Sequence, residues 1–184
     1  LQYFHLYLYF VMLTSMFRSR RDWMMFFHIF LAASVIVSFY ALFQRMGVLR
    51  SIQGGFRVDG TIGNPTYLAA YLLFHIWLSV FFLKRFWQRA GLRFLYGPVL
   101  LFELLILYFT ATRGAVLALA VTTFLVLAVL VWKWNKIVSR DAPGRRWAGI
   151  GLTMVIVIPL LLWLARGTSF VNSSEALQRL TNYS

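Results

Sequence analysis

Residues 94–132 form one apolar stretch in which Glu103 and Arg113 are the only charged residues. A single helix over this stretch would run about 58 Å, at about 1.5 Å per residue. The hydrocarbon core of a bilayer is only about 30 Å thick, so the stretch has to cross it twice. The sequence therefore predicts two transmembrane helices, 94–112 and 114–132, with the hairpin at Arg113 and Gly114.

The rest of the chain has the same membrane character. Apolar residues make up 61% and charged residues 12% of the 184 residues, whereas soluble domains hold about 25% charged residues. The absence of cysteine excludes disulfides, thiolate metal sites and cysteine nucleophiles. Because the chain opens inside an apolar stretch, we expect it to be truncated at both ends. We predict a single all-α transmembrane domain over 1–184, with about six spans: 1–17, 23–43, 65–83, 94–112, 114–132 and 147–165.

The net charge of +13 would suit a nucleic-acid partner, but the basic residues lie in short runs between the apolar stretches. That pattern is typical of a membrane protein whose loops meet anionic lipid, and we expect membrane lipids and no nucleic acid as partners. Twelve of the 18 Lys and Arg residues fall in loops on one side of the predicted bundle. The positive-inside rule assigns that side to the cytoplasm. The other six lie on the outer face: Arg45, Arg50, Arg57, Arg113, Arg166 and Arg179.

Two helices are predicted to begin at the outer face. Asn64 followed by Pro65 is typical of an N-cap and the first helical position, which opens the third span. Thr112 can cap the fifth span in the same way, with Arg113 in its first turn. Both helix N-termini would present unpaired N–H groups and the positive end of the helix dipole.

Arg57, Asn64 and Arg113 therefore form a predicted binding site for a phosphate or pyrophosphate at the outer interface. Arginine is unfavourable against the dipole in a first helical turn, so a purely structural role explains Arg113 poorly. The alternative is that Arg57 and Arg113 extend to lipid headgroups, as interfacial arginines often do.

The other polar residues are weaker candidates for a functional role. Glu103 lies in mid-span, about 15 Å along the helix from Arg113. An intramembrane carboxylate indicates a function by default, and the alternatives are that Glu103 is neutral or is bonded to a neighbouring helix. Asp59 is a candidate general base, although pairing with a nearby Arg or a turn N–H is the simpler interpretation. No motif for a metal-dependent transferase is present, so we predict no metal. The histidines occur singly and are predicted to pack or to form hydrogen bonds: His5, His28 and His75.

At these residues the chain resembles the O-antigen ligase and polymerase superfamily of bacterial envelope enzymes. The resemblance rests on residues 57–65, Arg-Val-Asp-Gly-Thr-Ile-Gly-Asn-Pro, and their continuation over 68–73. It rests also on Thr-Arg-Gly-Ala at 112–115, where the family usually has Ser-Arg-Gly at an outer hairpin, and on the basic loop and apolar span of 18–44. Together these segments cover most of 18–130.

The resemblance implies a GT-C-like glycosyltransferase of the bacterial inner membrane that needs neither metal nor cofactor. Such enzymes move a saccharide from undecaprenyl pyrophosphate to an acceptor on the periplasmic face. Arg113 and Arg57 stand at the motif positions expected to hold the pyrophosphate. The large outer loop that carries the general base in the family would follow Ser184, so we expect this segment to be inactive alone.

Several functions stay open at this point. Within the superfamily, ligases attach polysaccharide to lipid A core, polymerases join repeat units, and other members glycosylate proteins. A small-anion or solute transporter would use the same outer arginines to attract its substrate. A structural membrane subunit without chemistry leaves the glycine-rich loop at 57–65 unexplained.

Overall fold

The computed structural model describes residues 2–52 and 56–137, together with positions 150, 151, 153, 154, 157, 164 and 168. Across these residues the regular secondary structure is entirely helical, which confirms the predicted all-α class for this part of the chain. The short 3-10 helix Gly60–Ile62 precedes the third of five α-helices. They are α1 Gln2–Met16, α2 Arg20–Arg45, α3 Pro65–Arg85, α4 Ala90–Phe109 and α5 Arg113–Ile137.

Four of these helices, α2 to α5, are long and apolar enough to cross a membrane. By length and composition they indicate a membrane protein, and they coincide with four of the six predicted spans. The first predicted span, 1–17, is not confirmed, because α1 has 15 residues and covers about 22 Å, less than the hydrocarbon core. The sixth predicted span, 147–165, falls almost entirely outside the described residues.

The helix ends follow from local hydrogen bonds. Ser19 and Asp22 form a capping box at the start of α2, with Ser19 Oγ accepting from the Asp22 N–H at 3.1 Å. Asn64 Oδ1 accepts from the Thr66 N–H at 2.8 Å, and Pro65 is the first residue of α3. The predicted Asn64–Pro65 helix start is thereby confirmed.

The hairpin between α4 and α5 lies slightly earlier than predicted. The chain reverses over Thr110–Thr112, and Arg113 and Gly114 already belong to α5. The reversal depends on Ala111, which adopts a left-handed conformation with φ 48°. That conformation is unfavourable for a residue with a Cβ, so the sequence pointed to Gly114 instead.

The core lies between α2, α3 and α4, with α3 at its centre. The buried face of α3 repeats every three or four residues and includes Leu68, Leu72 and Ile76. Hydrocarbon chains are as apolar as leucine, so close packing and polar contacts must hold such helices together. The fully buried Glu103 supplies polar contacts, lying 2.6 Å from Ser34 Oγ on α2 and 2.8 Å from Ser79 Oγ on α3. The predicted bond from Glu103 to a neighbouring helix is therefore confirmed.

Candidate functional site

The α2–α3 loop folds onto the turn between α4 and α5. The Val58 N–H donates to the Phe109 carbonyl at 3.4 Å. Arg57 reaches further, with Nε donating to the Thr110 carbonyl at 2.9 Å and Nη2 donating to Thr112 Oγ1 at 3.1 Å. These contacts bring the segments around Arg57 and Arg113 to one end of the bundle. We call this end, formed by the C-terminus of α2, the α2–α3 loop and the α4–α5 turn, the arginine end.

Arg57 is half-buried and holds the end of α4. Thr110 is the C-cap of α4, and the last carbonyls of a helix carry the negative end of its dipole. A guanidinium bound there is electrostatically favourable and satisfies a carbonyl that has no partner within the helix. At least two of the five N–H donors of Arg57 are therefore used in hydrogen bonds that stabilise the fold. Its role as an anion ligand stays a prediction.

Arg113 is the first residue of α5 and is exposed. It follows Thr112, whose carbonyl accepts from the Val116 N–H at 3.2 Å, as expected at an N-cap position. The Thr112 hydroxyl, which we predicted to cap α5, instead accepts a hydrogen bond from Arg57. Arg113 thus stands directly beside the residue that Arg57 binds, at the positive end of the α5 dipole.

Asp59 is fully buried, and its carboxylate is bound on several sides. It accepts from Gln44 Nε2 at 2.6 Å, from Ser51 Oγ at 2.8 Å and from the Ile52 N–H at 2.7 Å. The predicted pairing with a turn N–H is confirmed. A carboxylate held in this way has no access to an acceptor hydroxyl, so Asp59 is a poor general base and instead fixes the loop that carries Arg57.

Gln44 completes this network, and sequence reasoning missed it. Its Oε1 accepts from the N–H groups of Asp59 and Gly60, at 3.2 and 2.8 Å, while its Nε2 donates to the Asp59 carboxylate. The available signal was its position near the end of an apolar span, in register with the buried Ala41. A glutamine on a buried face requires partners for both its carbonyl and its amide.

A cavity of about 450 Å³ opens at the arginine end. Arg45, Arg50 and Arg57 are among its lining residues. The guanidinium of Arg45 lies over the ring of Phe56, 4.2 Å from its centroid, and this cation–π contact holds the side chain in place. The sequence placed Arg45 and Arg50 on the predicted outer face but did not assign them to the site. Three guanidinium groups around one cavity suit an anion that has several oxygens.

Two of the three histidines pack as predicted. His75 is buried, with Nδ1 2.8 Å from the Tyr71 carbonyl, and the ring of His28 lies 4.3 Å from that of Phe82. The described residues contain no group of three or more His, Asp or Glu side chains that could hold a metal ion.

No known protein-family model, curated protein or solved structure matches this chain. Its function has to be inferred from its own residues, above all from the arginine end.

Proposed function

We propose that this protein is a metal-independent glycosyltransferase of the bacterial inner membrane. It would transfer a saccharide from undecaprenyl pyrophosphate to lipid A core, a growing polysaccharide or a protein at the outer face. The observation that carries the proposal is the pair of hydrogen bonds from Arg57 to Thr110 and Thr112. They join two of the segments on which the family resemblance rests, 57–65 and 112–115, and this meeting of the two motifs supports a shared site.

The arginine end suits the chemistry of a pyrophosphate leaving group. When the glycosidic bond breaks, negative charge develops on the departing pyrophosphate and must be stabilised. Arg113, exposed at the N-terminus of α5, is placed to do this with its bidentate guanidinium and the adjacent helix dipole. Arg57 secures the turn that presents Arg113 and lines the neighbouring cavity with Arg45 and Arg50.

The remaining roles follow from the contacts of the other side chains. The side-chain oxygen of Asn64 accepts the capping hydrogen bond at the start of α3. Asn64 would therefore contribute to anion binding by fixing the N-terminus of that helix. Asp59 is fully buried and bonded, so we do not assign it the role of general base.

Substitution of Arg113 tests the proposal. In the full-length protein in membranes, Arg113→Ala should lower transfer from undecaprenyl-pyrophosphate-linked saccharide about 100-fold or more, equivalent to about 3 kcal/mol of transition-state stabilisation. Arg113→Lys should recover little of this, because one ammonium does not reproduce a bidentate fork. Arg85→Ala is the matched control, since Arg85 is an exposed arginine at the opposite end of the bundle and should keep activity. Rates are normalised to folded protein.

Two results would contradict this role. A fully active Arg113→Lys would assign Arg113 to lipid headgroups, and a fully active Arg113→Ala would remove it from the site. Uptake of a small anion into proteoliposomes without any glycan transfer would favour a transporter.

The metal-independent mechanism has its own test. Transfer by the full-length protein should continue in excess chelator and without nucleotide sugar, because fixed guanidinium and N–H donors take the place of a cation. Activity that disappears with chelator and returns with manganese would refute the mechanism.

A further inference from the structure

Glu103 occupies an enclosed polar site inside the helical bundle, away from the arginine end. Its side chain is fully buried, as are those of its two partners. Ser34 Oγ on α2 lies 2.6 Å from Glu103 Oε1, and Ser79 Oγ on α3 lies 2.8 Å from Oε2. The carboxyl group therefore joins α4 to α2 and α3, and the proposed transfer reaction does not use it.

The number of available protons constrains the state of this carboxyl group. Ser34 Oγ lies 2.6 Å from Glu103 Oε1 and also 2.8 Å from the Leu31 carbonyl. A carbonyl can only accept, and a hydroxyl has one proton to donate. If Ser34 donates to Leu31, the contact between Ser34 and Glu103 needs a proton from Glu103. A carboxylic acid supplies it and satisfies every oxygen in the cluster.

The positions of the basic residues also favour a protonated, neutral Glu103. Within the described part of the chain, the segments 23–44, 65–83, 94–112 and 114–132 contain no Lys or Arg. An ionised Glu103 would be a buried charge without a counter-ion among the described residues, which is strongly unfavourable.

The titratable neighbours do not supply the missing charge. Tyr71 and His75 lie on α3, and His28 lies on α2. His75 Nδ1 faces the Tyr71 carbonyl and must donate to it, while its buried Nε2 has no hydrogen-bond partner among the described residues. A cationic His75 would place an unsatisfied N–H donor there, so the neutral ring fits better.

We propose that Glu103 is an intramembrane proton-binding site, in which a neutral carboxylic acid donates to Ser34 and accepts from Ser79. With this proton, a chain of hydrogen bonds runs from Glu103 through the Ser34 hydroxyl to the Leu31 carbonyl. Together with the bond from Ser79, it links α4 to α2 and α3. Loss of the proton leaves a charge in the core, and the single Ser34 hydroxyl proton can then bond either Glu103 or the Leu31 carbonyl but not both.

Infrared spectroscopy of the full-length protein in lipid nanodiscs tests this assignment. At neutral pH the wild type should show the C=O stretch of a protonated carboxyl group above the amide I region, and Glu103→Gln should lack it. Ser34→Ala should shift the band to higher frequency, because the carboxylic acid loses its acceptor. Ser38→Ala is the matched control: Ser38 is buried one turn along α2, and its hydroxyl has no hydrogen-bond partner in the described part of the chain, so the band should not move.

Three outcomes would overturn the proposal. One is a carboxylate band at neutral pH that Glu103→Gln removes. Another is an acid band that appears only after sodium is withdrawn, which would make the cluster a cation site. The third is an equal response of the band to Ser34→Ala and Ser38→Ala. This serine comparison decides the question even where Glu103→Gln fails to fold.

Discussion

At the scale of single residues, Gln44 holds the loop that carries Arg57. Its side-chain oxygen accepts from two backbone N–H groups, and its side-chain NH2 group donates to the buried carboxylate of Asp59. Buried polar groups that lose their partner cost about 1–3 kcal/mol each, and charged groups cost more. Gln44 therefore contributes far more to the stability of the arginine end than its position at the end of a helix suggests.

Gln44→Ala should lower the free energy of unfolding by about 3 kcal/mol, because it leaves two N–H groups and part of a carboxylate buried without partners. Denaturant unfolding in detergent measures the loss. The control is Gln88→Ala, since Gln88 is exposed in the linker between α3 and α4 and its truncation should change little. Equal stability of the two variants would contradict the role of Gln44.

Sequence reasoning predicted which residues share an end of the bundle but not how they bond. Alternation of spans is enough to place Arg57 and Arg113 on one side, because each span returns the chain to the opposite face. It does not predict that Arg57 binds Thr110, or that Gln44 binds Asp59, since these pairs are far apart in sequence. Such contacts depend on the tertiary register of helices and loop.

At the scale of elements, hydropathy predicted the four long apolar helices α2 to α5, because bilayer thickness sets the length of a transmembrane helix. It was less accurate at the α4–α5 turn, because hydropathy carries no information on the left-handed backbone of Ala111. It also gave no sign of the short 3-10 helix Gly60–Ile62, which packs between α2 and α3. Gly60 makes that packing possible, with a φ of 58° and little space around its Cα.

Gly60→Ala should destabilise the fold by about 1 kcal/mol more than Gly47→Ala. Both glycines have positive φ, so both variants carry the backbone cost of a Cβ in the left-handed region, about 1–2 kcal/mol. At Gly60 the new Cβ would also lie 3.3 Å from Leu68 Cδ1 and 3.4 Å from Val37 Cγ1, whereas Gly47 has open space. Thermal unfolding of the two variants measures the difference. If Gly47→Ala proved equally or more costly, the tight packing at Gly60 would be refuted.

At the scale of the whole molecule, the contacts of Arg57 agree with the predicted alternation of the chain. The α2–α3 loop and the α4–α5 turn meet at one end, as loops separated by two spans should. From the asymmetry of 12 against six basic residues in the sequence, the positive-inside rule predicts that the richer side lies in the cytoplasm. Under this orientation the arginine end faces the leaflet where the proposed carrier pyrophosphate lies.

Cysteine labelling tests this orientation. The segment has no cysteine, so single cysteines can be placed at Thr61, exposed at the arginine end, and at Gln88, exposed at the opposite end. In intact spheroplasts of cells that express the cysteine-free full-length protein, an impermeant thiol reagent should label Thr61→Cys and leave Gln88→Cys unlabelled. Permeabilised cells provide the control, because both positions should react there. Labelling of Gln88→Cys alone would place the arginine end in the cytoplasm, and an anion site on that side is incompatible with transfer at the outer face.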